Sequence, residues 1–270
     1  MIDVRDAMVV YPGAERPALD GVSLTLSPGE SVAMLGANGS GKSTLARLCN
    51  ALLLPSAGTV SVDGMDTRDA EALWDVRSRV GFVQQNPENQ IVGTVAEEDV
   101  AFGPENLGVP AGELRRRVDD ALEAVGLAGM QRREPHLLSD GQKQRLAIAG
   151  ALAMRPAYLV LDEPTAMLDG TGRAEVAAVL KTLRDEGVGI LHITHQLAEA
   201  ADADRLVVLS EGRIVYEGTP FGLMGEPEYA GRYGVDLPHM AVLTAELRAK
   251  GIDVPAPMLD AESVVEALWR

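Results

Sequence analysis

G-A-N-G-S-G-K-S-T, residues 36–44, has the spacing G-x-x-x-x-G-K-S of a phosphate-binding loop. The apolar run Ser31–Leu35 before it predicts a strand, and residues 43–54 after it have the length and composition of a helix. Backbone N–H groups of such a loop cradle phosphate oxygens, helped by the positive end of the helix. We therefore expect these residues to bind a nucleotide: Gly36, Ala37, Asn38, Gly39, Ser40, Gly41, Lys42, Ser43 and Thr44.

Three side chains at the end of this loop have separate expected roles. Lys42 would neutralise the outer phosphates, the Ser43 hydroxyl would bind Mg2+, and Thr44 would support the phosphates. The structural alternative is a glycine-rich turn that binds no ligand. The strand and helix that flank the loop favour the binding interpretation.

A second segment supplies two adjacent carboxylates. The apolar run 158–161 predicts a buried strand, and Asp162 and Glu163 follow at its end, where α/β sheets present their ligands. Asp162 suits a contact to Mg2+ through water. Glu163 suits the general base that activates water for attack on a γ-phosphate. Without the upstream loop, this pair would be interpreted as a solvated turn.

The remaining pattern predicts an α/β fold. Strands are expected near residues 4–10, 22–26, 59–62 and 80–84 and again at 157–161, 189–193 and 206–209. Helices are expected at 69–77 and 172–186, which implies parallel strand pairing with crossovers. Residues 94–153 predict an almost entirely helical insertion broken at Pro104, Pro110 and Pro135. A hairpin joins 206–209 to 213–216 through Glu211-Gly212.

The pattern changes after Gly218, where prolines separate short segments. One helix is expected to carry Pro238 in its first turn and to stop at Gly251. Another follows Asp260 and places four apolar residues on one stripe: Val264, Val265, Leu268 and Trp269.

Composition excludes several classes of protein. The 270 residues carry 24 basic and 40 acidic side chains, so a net charge of −16 repels nucleic acid over most of the surface. Cys49 is the single cysteine, which excludes an internal disulfide and is expected in a reducing compartment. No apolar run has the length of a membrane span, and the N-terminus lacks a signal-peptide pattern. These features predict a cytoplasmic protein that meets a membrane only through a partner.

Residues 138–145, L-S-D-G-Q-K-Q-R, resemble the signature motif of the ABC ATPases. In that family the motif faces the γ-phosphate bound by the opposite subunit, with a helix N-terminus aimed at the anion. The residues implied here are Ser139, Asp140, Gly141 and Gln142. Asp140 departs from the usual glycine, and we expect its carboxylate to point to solvent. The structural alternative is a helix cap at Ser139.

The same resemblance implies the whole architecture. The implied fold class is α/β, and within it the ABC ATPase version of the P-loop NTPase fold. It has a mixed central sheet, an N-terminal antiparallel β subdomain and a helical signature subdomain at about 94–153. Residues 1–218 would form the nucleotide-binding domain. Residues 219–270 would form a small C-terminal helical extension that helps two ATPases to dimerise; the structural alternative is that its apolar stripe packs on its own domain.

Other family positions follow in order between residues 4 and 218. Tyr11 resembles the aromatic residue that stacks on adenine, and His195 resembles the switch histidine at the γ-phosphate. Gln85 resembles the glutamine that senses the γ-phosphate and Mg2+, with Gln84 as the alternative register. Asp169 matches the loop that crosses the dimer interface. The implied catalytic residues are Glu163, His195 and Gln85, and the implied Mg2+ contacts are Ser43, Gln85 and Asp162.

Residues 86–90, N-P-E-N-Q, and 99–108, D-V-A-F-G-P-E-N-L-G, resemble one subfamily, the energy-coupling factor ATPases. That resemblance implies ATP and Mg2+ as cofactors, and uptake of a vitamin or of cobalt or nickel ions. A second ATPase, a membrane coupling protein and a substrate-binding membrane component are the implied partners, at the cytoplasmic face of the membrane. The motif at 164–169 favours the first of two paired ATPases, and homodimer and heterodimer both stay open.

Two other functions compete with this one. A non-transport ABC ATPase of DNA repair or ribosomes would carry a long coiled coil, a zinc module or tandem ATPase domains, none of which the sequence shows. A regulatory module would bind ATP without hydrolysing it. The presence of Glu163 and His195 argues against this function, whereas Asp140 in the signature motif leaves it open.

Overall fold

The computed structural model describes residues 1–255 and 257–269, and for Pro227 it describes the backbone only. Two sheets organise the chain. The strands are β1 Ile2–Val9, β2 Leu19–Leu26, β3 Ser31–Leu35, β4 Ala57–Val62, β5 Met65–Asp66, β6 Val80–Val83, β7 Tyr158–Asp162, β8 Gly189–Ile193, β9 Arg205–Ser210 and β10 Arg213–Gly218. The helices are α1 Lys42–Cys49, α2 Leu73–Arg79, α3 Ala96–Asn106, α4 Ala111–Ala124, α5 Asp140–Ala153, α6 Gly170–Asp185, α7 Pro220–Met224, α8 Pro227–Arg232, α9 His239–Ala249 and α10 Ala261–Leu268.

The central sheet has the order β10-β9-β3-β8-β7-β6. Neighbouring strands from β9 to β6 pair in parallel, whereas β10 pairs antiparallel to β9. β7 and β8 are buried along their whole length because helices or the second sheet cover both faces. The predicted mixed sheet is confirmed, and parallel pairing brings the carboxyl ends of β3, β6, β7 and β8 to one edge.

The second sheet is antiparallel, in the order β2-β1-β4-β5, as predicted for the N-terminal β subdomain. β2 begins at Leu19, earlier than the predicted residue 22, because register shifts in β1 turn both Leu19 and Val22 toward the core. The two sheets enclose α1 in one hydrophobic core that contains Val4, Leu45 and Val207.

Helix α1 is shorter than predicted and ends at Cys49 rather than at residue 54. Ala51 takes a left-handed backbone conformation with φ of 56°. The N–H groups of Leu52 and Leu53 then turn back to the Arg47 carbonyl, at 3.0 and 3.1 Å. Local capping stops the helix although the composition of the next residues would allow it to continue.

The helical insertion contains α3, α4 and α5, but residues 125–139 are turns with one short 3-10 segment, so the nearly continuous helix predicted there was wrong. Pro104 was also wrong as a break, since it lies inside α3. Its missing N–H removes a single bond near the helix end, and the ring is buried. Pro110 caps α4 and Pro135 begins the 3-10 segment, as breaks should.

The described residues after Gly218 form four helices, of which α7 and α8 were not predicted. Leu223, Met224 and Ala230 from this part share a core with Leu35 and Val208 of the central sheet. Pro238 takes the cap position before α9 rather than a place in its first turn. No helix in the described part of the chain is long and apolar enough to span a membrane.

Candidate functional site: a phosphate loop facing two carboxylates

The phosphate loop connects β3 to α1, as the sequence predicted. Gly36 and Gly41 have positive φ angles of 147° and 108°. A Cβ at Gly36 would lie 2.1 Å from the Leu209 carbonyl oxygen, and one at Gly41 would lie 2.4 Å from that of Ala18. Both positions therefore require glycine for reasons of backbone conformation and space together.

Lys42 is buried at the base of the loop. Its Nζ donates hydrogen bonds to the carbonyl oxygens of Gly36 and Ala37, at 2.7 and 3.0 Å. Burial lowers the pKa of Lys42, while the charges of Glu163 and Asp162 act in the opposite direction. The hydroxyl oxygen of Ser40 is buried in the same loop without a protein hydrogen-bond partner. The loop thus holds a cation and an unused polar group, which suits an anionic ligand.

Asp162 and Ser43 form the candidate Mg2+ contact. Burial raises the pKa of Asp162, and a hydrogen bond from Ser43 and the charges of Arg47 and Lys42 oppose that rise. The carboxylate is only 5% exposed. A carboxylate and a hydroxyl are the hard oxygen donors that Mg2+ prefers, and a cation would relieve the cost of burying the charge. These two residues fit the metal.

Tyr11 lies beside the phosphate loop. Its hydroxyl is 3.2 Å from Oγ1 of Thr44, the last residue of the loop. The ring is half-buried, in the loop between β1 and β2. The structure therefore brings the residue predicted to stack on adenine to the side of the loop where the nucleotide is expected.

Glu163 stands at the centre of the candidate site. It has a left-handed φ of 49°, and its N–H bonds to the Ile193 carbonyl at 3.0 Å. Its Oε2 accepts a hydrogen bond from Gln85 Nε2 at 2.9 Å and lies 3.8 Å from His195 Nδ1. Three residues predicted as catalytic from distant parts of the sequence thus meet at one carboxylate.

The alternative register at Gln84 is disfavoured by its contacts. The Gln84 N–H donates to Gln90 Oε1 at 3.0 Å, and its carbonyl accepts from Gln144 Nε2 at 3.3 Å. Gln84 therefore ties the chain to α5, whereas Gln85 faces Glu163.

The signature residues begin α5. Ser139 Oγ accepts from the Gln142 N–H at 3.3 Å, and Gln142 Oε1 accepts from the Ser139 N–H at 3.0 Å, which is a capping box. The Asp140 side chain is 71% exposed, and Lys143 Nζ lies 3.8 Å from it. Lys143 also pairs with Glu88 Oε1 at 2.5 Å. The helix cap weighed as the structural alternative is present, and it leaves the Ser139 hydroxyl proton free to bind an anion.

Asp169 caps α6, where its Oδ1 accepts from the Gly172 N–H at 2.8 Å. Among residues 1–255 and 257–269, no hydrogen bond joins the signature residues 139–142 or Asp169 to the phosphate loop of the same chain. A single chain therefore brings together the loop, Asp162, Glu163, Gln85 and His195, but not the signature.

Sequence reasoning missed one group of polar residues behind the site. Glu199 Oε2 accepts hydrogen bonds from the hydroxyls of Thr165 and Thr194, each at 2.7 Å. Both threonines are buried. The available signal was an acidic residue four positions after His195 in an otherwise apolar segment, but spacing alone could not identify its partners.

The family model described as ABC transporter matches residues 19–166. The chain belongs to the ABC transporter family. A relative named energy-coupling factor transporter ATP-binding protein EcfA1, from Symbiobacterium thermophilum, is 58% identical over 94% of this chain and 89% of its own length.

Two solved structures are also similar to this ABC transporter subunit. CbiO1 from Clostridium perfringens, described as part of the CbiONQ ABC transporter complex, is 35% identical with a TM-score of 0.76, over 90% of this chain and 98% of that one. A dimeric ATP-binding cassette in a post-hydrolysis state, bound to ADP and Pi, is 31% identical with a TM-score of 0.76, over 82% and 99%. The predicted ABC ATPase of the energy-coupling factor type is confirmed.

Proposed function

We propose that this ABC ATPase hydrolyses ATP between two subunits and thereby drives an energy-coupling factor importer at the cytoplasmic face of a membrane. The observation that carries the proposal is the arrangement around Glu163, whose carboxylate contacts Gln85 and His195 at the edge that also presents Lys42 and Asp162. A base, a phosphate-binding lysine and a candidate metal contact are the parts that nucleotide hydrolysis needs.

In the proposed reaction, Lys42 exchanges its bonds to the Gly36 and Ala37 carbonyls for bonds to the outer phosphates of ATP. Glu163 holds the attacking water in line with the γ-phosphate and accepts a proton from it. His195 donates to the γ-phosphate from the end of β8. Ser43 and Asp162 would hold Mg2+, whose positive charge would stabilise the phosphate oxygens during the reaction.

The second subunit supplies the signature. The N-terminus of its α5 points partial positive charge at the γ-phosphate, and Ser139 offers its free hydroxyl proton. The exposed Asp140 is neutralised in part by Lys143, which explains how a carboxylate is compatible with an anion site. Closure of the two subunits and reopening after hydrolysis would then move the membrane partner.

A groove beside Gln85 is the proposed docking site for a cytoplasmic helix of the membrane coupling protein. It has a volume of about 270 Å³ and is lined by Leu52, Phe82, Gln84, Gln90, Val92, Phe102 and Met154, among others. Val92 and Phe102 are exposed by 63% and 55%. Glu98 and Glu105 are exposed on α3 nearby. An apolar helix that also carries basic side chains would match this surface in both chemistry and charge.

The motif at 86–108 shapes that groove. Asp99 Oδ1 accepts from the N–H groups of Val92 and Gly93, at 2.7 and 2.9 Å. Gln90 Nε2 donates to the Phe82 carbonyl at 3.2 Å. These bonds fix the loop between Gln85 and α3, so a helix bound there would move Gln85 directly. This contact would connect the membrane protein to Glu163.

The extension at residues 219–270 is proposed to join the two ATPases. On α10 only Val264 is buried, whereas Val265, Leu268 and Trp269 are 52%, 41% and 81% exposed. The described part of this chain therefore leaves the predicted apolar stripe largely uncovered. A second ATPase subunit would cover it, and the similarity to EcfA1 proteins supports the first position of a pair.

Co-purification from native membranes, with phosphate release measured on the isolated complex, tests the proposal. We expect a second ATPase and a membrane coupling protein to be captured, with the cargo recognised by a further membrane component. Phe102→Glu should abolish capture of the membrane protein, while Glu123→Gln, at an exposed residue of α4 outside the groove, should leave it nearly unchanged. Capture of nucleic acid or ribosomes would favour the non-transport alternative, and ATP binding without phosphate release would favour the regulatory one.

A further inference from the structure

Behind the catalytic edge, one carboxylate oxygen connects two functional loops. Oε2 of Glu199 accepts hydrogen bonds from Thr165 Oγ1 and Thr194 Oγ1, both at 2.7 Å. Thr165 lies between Glu163 and Asp169, and Thr194 directly precedes His195. The threonines are 6% and 1% exposed. Each bond joins a neutral hydroxyl to a carboxylate, and hydrogen bonds with an ionised partner are stronger than those between neutral groups.

Thr194 is also held by two other bonds, since its Oγ1 accepts from the Gln196 N–H and its N–H donates to the Met34 carbonyl, each at 3.1 Å. Among the residues that the structure describes, Glu199 Oε1 has no hydrogen-bond partner, and neither has Nε2 of His192, which lies 4.0 Å from Oε2. A cavity of about 660 Å³ between α6 and residues 196–203 is lined by Thr165, His192 and Glu199, among others. Because the cavity side is not packed, removing the carboxylate would remove the side-chain link between the two loops, which the backbone bond from the Glu163 N–H to the Ile193 carbonyl would still join.

We propose that Glu199 is a positioning residue that couples the loop carrying His195 to the loop that ends at Asp169. The inference rests on the proposed function, in which His195 acts on the ATP of its own subunit, and on the expectation from the sequence that the loop with Asp169 crosses the dimer interface. A shift of either loop is transmitted to the other through the shared oxygen. One site of the dimer would thereby sense the state of its twin.

The test measures kcat and KM for ATP on the intact complex. Glu199→Ala is expected to lower kcat at least ~10-fold while KM stays within about twofold, because binding groups at the phosphate loop are untouched. Glu199→Gln should keep kcat within about threefold of the wild type, since its amide oxygen can accept both hydroxyls and its NH2 can face His192 Nε2. Glu186→Ala, at an exposed residue that directly follows α6 and lines a different cavity, is the control.

A double-mutant cycle separates coupling from a general loss of stability. If Glu199 acts through Thr165, then kcat of the double variant Glu199→Ala with Thr165→Val should be no lower than kcat of Glu199→Ala alone. Should Glu199→Ala fail to fold, the cycle of Thr165→Val with Thr194→Val replaces it, and non-additive losses in kcat support the proposal.

Wild-type kcat in Glu199→Ala, equal losses in the Ala and Gln variants, or additive losses in the cycle would overturn the coupling. A wild-type complex that releases no phosphate would instead count against the proposed function itself.

Discussion

The side-chain amide of Gln85 donates a hydrogen bond to Glu163 Oε2 across 2.9 Å. The two residues follow β6 and β7, which are parallel neighbours in the central sheet. Gln85 also sits next to the groove proposed for the membrane partner. The bond is therefore a direct route by which docking of a partner helix could reach the catalytic carboxylate.

Gln85→Ala is expected to lower kcat for ATP ~10- to 100-fold, because Glu163 loses the donor that orients its carboxylate toward water. KM for ATP should change little, since Lys42 and the loop backbone still bind the phosphates. Phosphate release at saturating ATP is the measurement. If Gln84→Ala caused that loss and Gln85→Ala did not, the assignment would belong to the neighbouring residue.

Lys143→Met should lower turnover by ~3- to 10-fold, because Asp140 then faces the γ-phosphate of the partner site without a compensating cation. Lys143 is held beside Asp140 by Glu88, and this hydrogen bond raises the pKa of Lys143, so the side chain stays charged. Asp140→Gly in the Lys143→Met background should restore most of the activity. Unchanged activity in Lys143→Met would show that the Asp140 charge does not reach the nucleotide.

Asp63 should make folding sensitive to acid. Burial raises its pKa, but hydrogen bonds from the N-terminal amine, Tyr158 and Arg79 outweigh this and lower the pKa to about 2. A depressed carboxylate pKa contributes stability that is complete above the unfolded value of 3.8 and is lost as pH falls toward about 2.

Asp63→Asn is therefore expected to cost about 1–2 kcal/mol of unfolding free energy at pH 7, and the difference from the wild type should shrink below pH 4. Urea unfolding at several pH values measures it. Asp75→Asn, an exposed site, is the control. A difference that is constant from pH 7 to pH 3 would contradict the ionic origin.

The two tryptophans of the chain should contribute to two different interfaces. Trp269 is 81% exposed after α10, and Trp74 is 59% exposed on α2, one turn before Arg77 at the groove. Trp269→Ser is expected to weaken association of the ATPases at least ~10-fold, as loss of a central aromatic anchor does. Trp74→Ser should instead weaken capture of the membrane partner. Sedimentation and co-purification measure the two effects, and a reversed pattern would contradict both surface assignments.

Much of the site was readable from the sequence because its chemistry lies in short segments. The phosphate loop is one continuous run, and its glycines, Lys42 and Ser43 occupy positions that local backbone geometry dictates. Asp162 and Glu163 follow a wholly apolar strand, so their place at the edge of the sheet follows from the pattern. The resemblance at residues 138–145 then supplied the family, which the comparisons confirmed.

Other features depend on contacts between residues far apart in the chain, and no local pattern encodes them. The choice of Gln85 over Gln84 depends on a partner 78 residues away, and the role of Glu199 depends on Thr165, 34 residues before it. Pro104 remains inside α3 because tertiary packing buries it, against its local preference. Sequence therefore determined which groups carry the chemistry. Tertiary folding determined which of these groups hydrogen-bond to one another. Hydrogen bonds act over about 3 Å, whereas their partners can lie at any separation along the sequence.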